Sequence, residues 1–316
     1  MIERFLAGDE RALARLISLL EAGDARGVAL LRDVRAHSVG HSVGHSVRHG
    51  TGQRSSVIGI TGAPGAGKST LTDALIFACR ARGQRVAALM IDPSSPFSGG
   101  AILGDRIRMG KHHADSGVYL RSMATRGALG GLARAVVSTL SALELFGFDV
   151  IFLETVGVGQ SEVDIARVAD HVVVVLTPAG GDAVQAFKAG IMEIADVYCI
   201  NKADLPGADR LQREIRAAQE LGAHDEHTHW AEIVQTVASS NQGITALLEA
   251  IDAHRVILSE AGVTARRLER ARFELAAAIQ DAARRLVATR ESELLPRLER
   301  GELSADDAVR ELLEGA

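Results

Sequence analysis

Seven short apolar runs punctuate residues 56–239: SVIGIT, RVAALMID, VYLRSM, DVIFLE, HVVVVLT, VYCINK and EIVQTVAS. Helical stretches at 68–81, 131–146, 182–195 and 208–221 separate most of them. Brief β runs alternating with helices predict an α/β fold, a mostly parallel central sheet covered by helices on both faces. The flanks read as helix. Phe5, Leu13, Leu16, Ile17 and Leu20 recur at helical spacing within residues 1–36. Past residue 250, Leu268, Ala271, Leu275, Ile279, Ala282 and Leu286 step by three or four with Arg and Glu between them. Such a stripe either packs back on the main domain or zips to a second chain. The expected division is a helical segment with a His-rich linker (1–54), an α/β domain (55–252) and a C-terminal helical arm (253–316).

The linker is the repeat HSVGHSVGHSVRHG, with His37, His41, His45 and His49. Spacing of four would align the imidazoles on a helix, but Gly40 and Gly44 disfavour one, so a low-complexity loop is expected. Metal binding by the four histidines is the competing reading.

ITGAPGAGKST follows the first strand and opens a helix. It contains G-x-x-x-x-G-K-[ST], in which successive backbone N–H groups wrap phosphates. The expected cradle is Gly62, Ala63, Pro64, Gly65, Ala66, Gly67, Lys68, Ser69 and Thr70. Lys68 would reach the β- and γ-phosphates and the Ser69 hydroxyl would ligate Mg²⁺. The positive end of the helix favours the anion.

INKADL ends a later strand and supplies N-K-x-D as Asn201, Lys202 and Asp204. A carboxylate at Asp204 can accept from both N1–H and the exocyclic amine of guanine, whereas adenine offers no such pair of donors. The Lys202 stem can cover the base. A helix-capping loop is the plain alternative, since Asn and Asp are common caps. After the last strand, Val237, Ala238 and Ser239 form a loop whose Ala238 N–H can meet guanine O6. The expected ligand is therefore GTP or GDP.

Three acids complete the site. Glu154, in LETVGVGQ, falls at the mouth of a buried strand, where it would hold Mg²⁺ through water while the Gly157 N–H meets the γ-phosphate. Asp92 ends another strand, and Asp105 lies past a glycine-rich loop. Ser69, carboxylates and phosphate oxygens suffice for Mg²⁺, which keeps several waters. Many GTPases place a Gln after the switch glycine to orient water. Val158 stands there instead, and Gln160 is three residues past Gly157, so slow turnover is expected without a partner.

Composition narrows the class further. The 316 residues are 47% hydrophobic and 24% charged, with a net charge of −5, which gives no electrostatic case for nucleic acid or an anionic membrane. No stretch approaches the ~20 apolar residues of a membrane span. Two cysteines, Cys79 and Cys199, read as buried thiols, which suits a cytoplasmic protein. Among 35 Lys+Arg only four are lysine: Lys68, Lys111, Lys188 and Lys202. A lysine retained against that bias marks a place where a compact ammonium is wanted, the plain alternative being chance survival.

GAPGAGKST, DPSSPFSGGAILGDRIRM, RSMATRGALGG, ETVGVGQSE and NKAD, with the spacing between them, resemble the methylmalonyl-CoA mutase-associated GTPases, the MeaB/ArgK/MMAA group. The resemblance covers roughly residues 55–250 most closely. It implies a P-loop GTPase that chaperones an adenosylcobalamin-dependent acyl-CoA mutase, gating cofactor loading and protecting the mutase. It also implies a homodimer through the C-terminal helices and a mobile switch loop, here TPAGGDAVQAFKAG, with Asp182, Gln185 and Lys188. Val237 departs from the Ser usual in the last base loop, which lowers the expected affinity. The main alternative is a nickel-delivery GTPase of the urease or hydrogenase accessory type. It is suggested by the His repeat and opposed by the lack of a Cys-Pro or Cys-His pair near the switches. A kinase is the other, opposed by Asp204.

Overall fold

The computed structural model of the protein describes residues 1–40, 55–92, 112, 114–124, 134–155, 161–178, 191–221, 230–258 and 260–314. They divide into two compact units, Met1–Arg270 and Ala271–Ala316.

The first unit is built on seven parallel strands among the described residues, in the order β3-β2-β4-β1-β5-β6-β7. They are β1 (Ser56–Thr61), β2 (Val86–Asp92), β3 (Val118–Ala124), β4 (Val150–Thr155), β5 (His171–Leu176), β6 (Val197–Asn201) and β7 (Glu232–Thr236). Every residue of β1, β4, β5 and β6 is buried. That explains why these runs are apolar throughout rather than alternating: both faces are covered. The sheet is wholly parallel, where the sequence predicts a mostly parallel one. β1 lies between β4 and β5, and the chain fills the β4 side first (β2, β3, β4) before crossing to the β5 side (β5, β6, β7), so a crevice opens beyond the carboxyl ends of β4, β1 and β5.

Helices α1 (Ile2–Leu6), α2 (Glu10–Glu21) and α3 (Ala25–Gly40) precede the sheet. The Asp9 side chain caps α2 by accepting from the N–H groups of Arg11 and Ala12. Helix α4 (Lys68–Ala81) buries Leu71, Leu75, Ile76 and Cys79 against one face of the sheet. Helix α5 (Arg134–Phe146) packs on α2 and α3, with Phe5 edge-on to Phe146. Helix α6 is Ala208–Leu221, and α7 (Ile244–Ile257) shares the face covered by α4. α3 runs through the first HSVG unit, where glycine predicts a loop. Leu31 and Val34 are buried, and Gly40 stands only at the terminus, so packing outweighs its poor propensity. His37 donates from Nδ1 to the Asp33 carbonyl, while His41, His45 and His49 lie outside the described residues.

A charged cluster ties the amino ends of the strands to α8 (Glu260–Glu299). Asp170 accepts from Val57 N–H and Asp196 from Val172 N–H. Arg266 forks onto Asp196 with two contacts of 2.6 Å, and Arg270 reaches Glu144 and Asp170. His254 faces Asp196 through Nε2 and His171 through Nδ1. Burial, and then the His254 charge, push His171 down to about 4, so that ring is neutral. The cluster sits at the sheet edge opposite the carboxyl ends.

In the second unit, Leu294 of α8 packs with Ala308 and Leu312 of α9 (Ala305–Glu314), and Leu286, Leu298 and Leu303 border them. Arg297 holds Glu311 through both carboxylate oxygens at 2.9 Å. Along the predicted stripe Leu268, Leu275 and Ile279 are exposed, by 52%, 62% and 60%. Among the described residues no helix is long and apolar enough to cross a membrane.

Candidate functional site

The loop between β1 and α4 owes its path to glycine. Gly62 has φ +140, and a Cβ there would lie 2.1 Å from the Val175 carbonyl oxygen on β5. Gly67 has φ +88 and caps α4, where a Cβ would lie 2.5 Å from Asn201 Nδ2. Both positions therefore need the left-handed freedom and the missing side chain at once. The chain between them curls so that Lys68 Nζ donates to the carbonyls of Gly62 at 2.6 Å and Ala63 at 3.1 Å. Lys68 is only 6% exposed. An ammonium is thus held under the loop, at the positive end of a 14-residue helix.

Glu154 comes to the same place from β4. Its register opposite Ile60 and Met90 puts it near the carboxyl ends of three adjacent strands. It is 3% exposed. Ser69 Oγ donates to Glu154 Oε1 at 2.6 Å, and Thr72 Oγ1 donates to Oε2 at 2.8 Å. Both carboxylate oxygens therefore have a hydroxyl donor. These are hard oxygen donors beside a phosphate-type loop, which fits Mg²⁺. Asp92 is the last residue of β2, beyond the Ile91–Thr155 pairing, so its backbone reaches the same edge. Its side chain lies outside the described residues, as do Asp105, Gly157 and Lys188. Among the described residues no three His, Cys, Asp or Glu side chains gather as a metal cluster.

The N-K-x-D stretch closes on the loop from β6. Asn201, 2% exposed, donates from Nδ2 to the Ala66 carbonyl at 2.9 Å. Its Oδ1 accepts from Thr236 Oγ1 at 3.1 Å and from Ala238 N–H at 3.2 Å. Lys202, at φ +57, donates to the Gly65 carbonyl at 2.8 Å. Asp204 is exposed at the start of the following turn. The Ala238 N–H, expected to face guanine O6, thus has Asn201 as its partner here. Val237, Ala238 and Ser239 form the tight turn after β7, pinned by paired Val237–Gln242 backbone bonds.

The structure therefore brings together Lys68, Ser69, Glu154, Asn201 and Lys202 around one loop. Thr72 was not singled out from the sequence. The available signal was its place three residues beyond Ser69, which puts two hydroxyls on one helical face.

A strand, glycine loop and helix with a buried lysine, a hydroxyl-bound acid from the neighbouring strand and an N-K-x-D loop define a P-loop GTPase. The model of the family "Methylmalonyl Co-A mutase-associated GTPase MeaB" matches residues 13–292, and the chain belongs to that family. A Pyrococcus abyssi protein that bears the name of a GTPase is 48% identical over 268 residues, 83% of this chain and 77% of that protein. The methylmalonic aciduria type A homolog of Mus musculus, mitochondrial, is 39% identical over 193 residues, 60% of this chain and 46% of that protein. A crystal structure described as an LAO/AO transport system kinase shares the fold, with TM-score 0.68 and 22% identity over 99% of this chain and 95% of that one.

Proposed function

We propose that this GTPase is a chaperone of an adenosylcobalamin-dependent acyl-CoA mutase, gating cofactor loading and protecting the mutase. The observation that carries the nucleotide part is Asn201, which ties the phosphate loop at Ala66 to the base loop at Ala238. The mutase follows from the family, whose description names that association.

In this reading the N–H groups along Gly62–Thr70 receive the β- and γ-phosphates, and Lys68 leaves its loop carbonyls to meet them. Ser69, Glu154, Asp92 and Asp105 hold Mg²⁺, which would neutralise charge on the phosphates when bound. Asp204 accepts from guanine N1–H and the exocyclic amine, with the Lys202 stem over the base. The Ala238 N–H, whose bond to Asn201 is a long 3.2 Å, is shared with guanine O6. Gly157 N–H orients the γ-phosphate, and Lys188 couples the switch loop to the partner. The exposed Leu268, Leu275 and Ile279 supply the face for a homodimer. Adenosylcobalamin is met only through the mutase, and both proteins are cytoplasmic.

GTP turnover by the protein alone is expected to be slow, and the cognate mutase should raise it at least about tenfold, since partners that complete a GTPase site give far larger effects. Equal rates with and without the mutase would reject the coupling. Lys188→Ala should remove most of that acceleration while GDP affinity stays within about twofold. A loss of GTP affinity of about tenfold, ~1.4 kcal/mol, would place Lys188 in the nucleotide pocket instead.

A further inference from the structure

The geometry points to Thr72 as a positioning residue that holds the Glu154 carboxylate ready for Mg²⁺. This rests on the proposed Mg²⁺–nucleotide site.

Ser69 and Thr72 lie three residues apart on α4, so their side chains share one face of the helix. That face meets β4, and each hydroxyl takes one oxygen of the same carboxylate: Ser69 Oγ with Oε1 at 2.6 Å, Thr72 Oγ1 with Oε2 at 2.8 Å. Thr72 is fully buried and Glu154 nearly so. Thr72 Oγ1 also lies 3.0 Å from the Lys68 carbonyl, the ordinary back-bond of a helical threonine. The hydroxyl has a single proton. The carboxylate oxygen is the nearer acceptor, at 2.8 Å against 3.0 Å, so the proton is directed chiefly there.

The two hydroxyls have different tasks. Ser69 would be a metal ligand, so its oxygen is committed to the site. Thr72 stands one helical turn deeper. A glutamate has one more rotatable bond than an aspartate and therefore more rotamers open to it. With Oε2 held from below by Thr72, Oε1 stays turned toward Ser69. Partners behind a metal ligand act in this way, fixing its orientation.

The test reads Mg²⁺ dependence rather than turnover. The GDP-induced rise in melting temperature is followed across a Mg²⁺ titration, and again in EDTA, for the parent chain, Thr72→Val, Thr72→Ala and Thr72→Ser. Valine keeps the branched shape and deletes the donor. Alanine deletes the donor without adding a methyl, should valine pack badly. Both are expected to need about tenfold more Mg²⁺ for half the effect, with the shift in EDTA unchanged. Serine, which restores the hydroxyl, should return the Mg²⁺ midpoint to within about twofold of the parent. A parent-like midpoint in both Thr72→Val and Thr72→Ala overturns the role of Thr72, and so does a serine variant no better than alanine. A parent chain whose melting ignores GDP at every Mg²⁺ concentration overturns the nucleotide reading itself, and this inference with it.

Discussion

Gly62→Ala is expected to lower the melting temperature of the nucleotide-free protein by roughly 6–12 °C, about 3 kcal/mol for a unit of this size. The new Cβ would stand 2.1 Å from the Val175 carbonyl oxygen, which is backbone in the middle of the sheet and cannot swing aside. The φ of +140 adds strain for any residue with a side chain. The structure supplies its own control. Gly65 also has positive φ, +80, but nothing lies within 4 Å of a Cβ there. Gly65→Ala should therefore cost only the left-handed conformation, about 1 kcal/mol. Thermal melts of both variants without ligand make the comparison. Equal destabilisation would show that backbone strain alone governs the loop and that the approach to β5 does not matter.

Asn201→Ala should act on folding and on nucleotide binding together. The side chain is buried and serves three partners: the Ala66 carbonyl, the Ala238 N–H and the Thr236 hydroxyl. Truncation takes the Asn201 bond from two buried backbone groups, at about 1–3 kcal/mol each. The Thr236 hydroxyl keeps its contact with Cys199 Sγ at 3.2 Å, so it adds little. A loss of about 3 kcal/mol in the ligand-free protein is expected. The GDP-induced melting shift should fall further, because the phosphate loop and base loop then lose their common tether. Thr236→Val removes one of the three bonds and leaves the tether, so it should cost about 1 kcal/mol and spare GDP binding. If Asn201→Ala melts like the parent and responds to GDP like the parent, the bridge has no energetic weight.

Strands β1, β4, β5 and β6 are readable in the chain because burial on both faces makes them almost continuously apolar, whereas β7, with Glu232 exposed and Gln235 half-buried, reads more weakly. The start of α4 was readable from Gly67 and Lys68, and the structure begins it at Lys68. His37–Gly40 was misjudged as loop, since local propensity says nothing of the packing that carries α3 onward. Thr72 escaped notice for a related reason. A threonine inside an amphipathic helix has no distinctive spacing until the strand opposite it is known. The sequence shows the Ala238 N–H as a donor without showing that Asn201 Oδ1 also stands within its reach.

The amino acids alone determined the parallel α/β class, the glycine path of the phosphate loop, and the residue types able to meet a guanine nucleotide. Those follow from hydrophobic period, φ freedom and donor–acceptor chemistry, which are local properties of the chain. Only the tertiary structure decided that Glu154 answers to two hydroxyls of α4, that Asn201 joins three separate segments, and that an arginine–carboxylate cluster anchors α8 at the far edge of the sheet. Each of those depends on strand order and register. Bringing residues 82–85 or 135 positions apart to within a hydrogen bond is a consequence of topology, which no local pattern encodes.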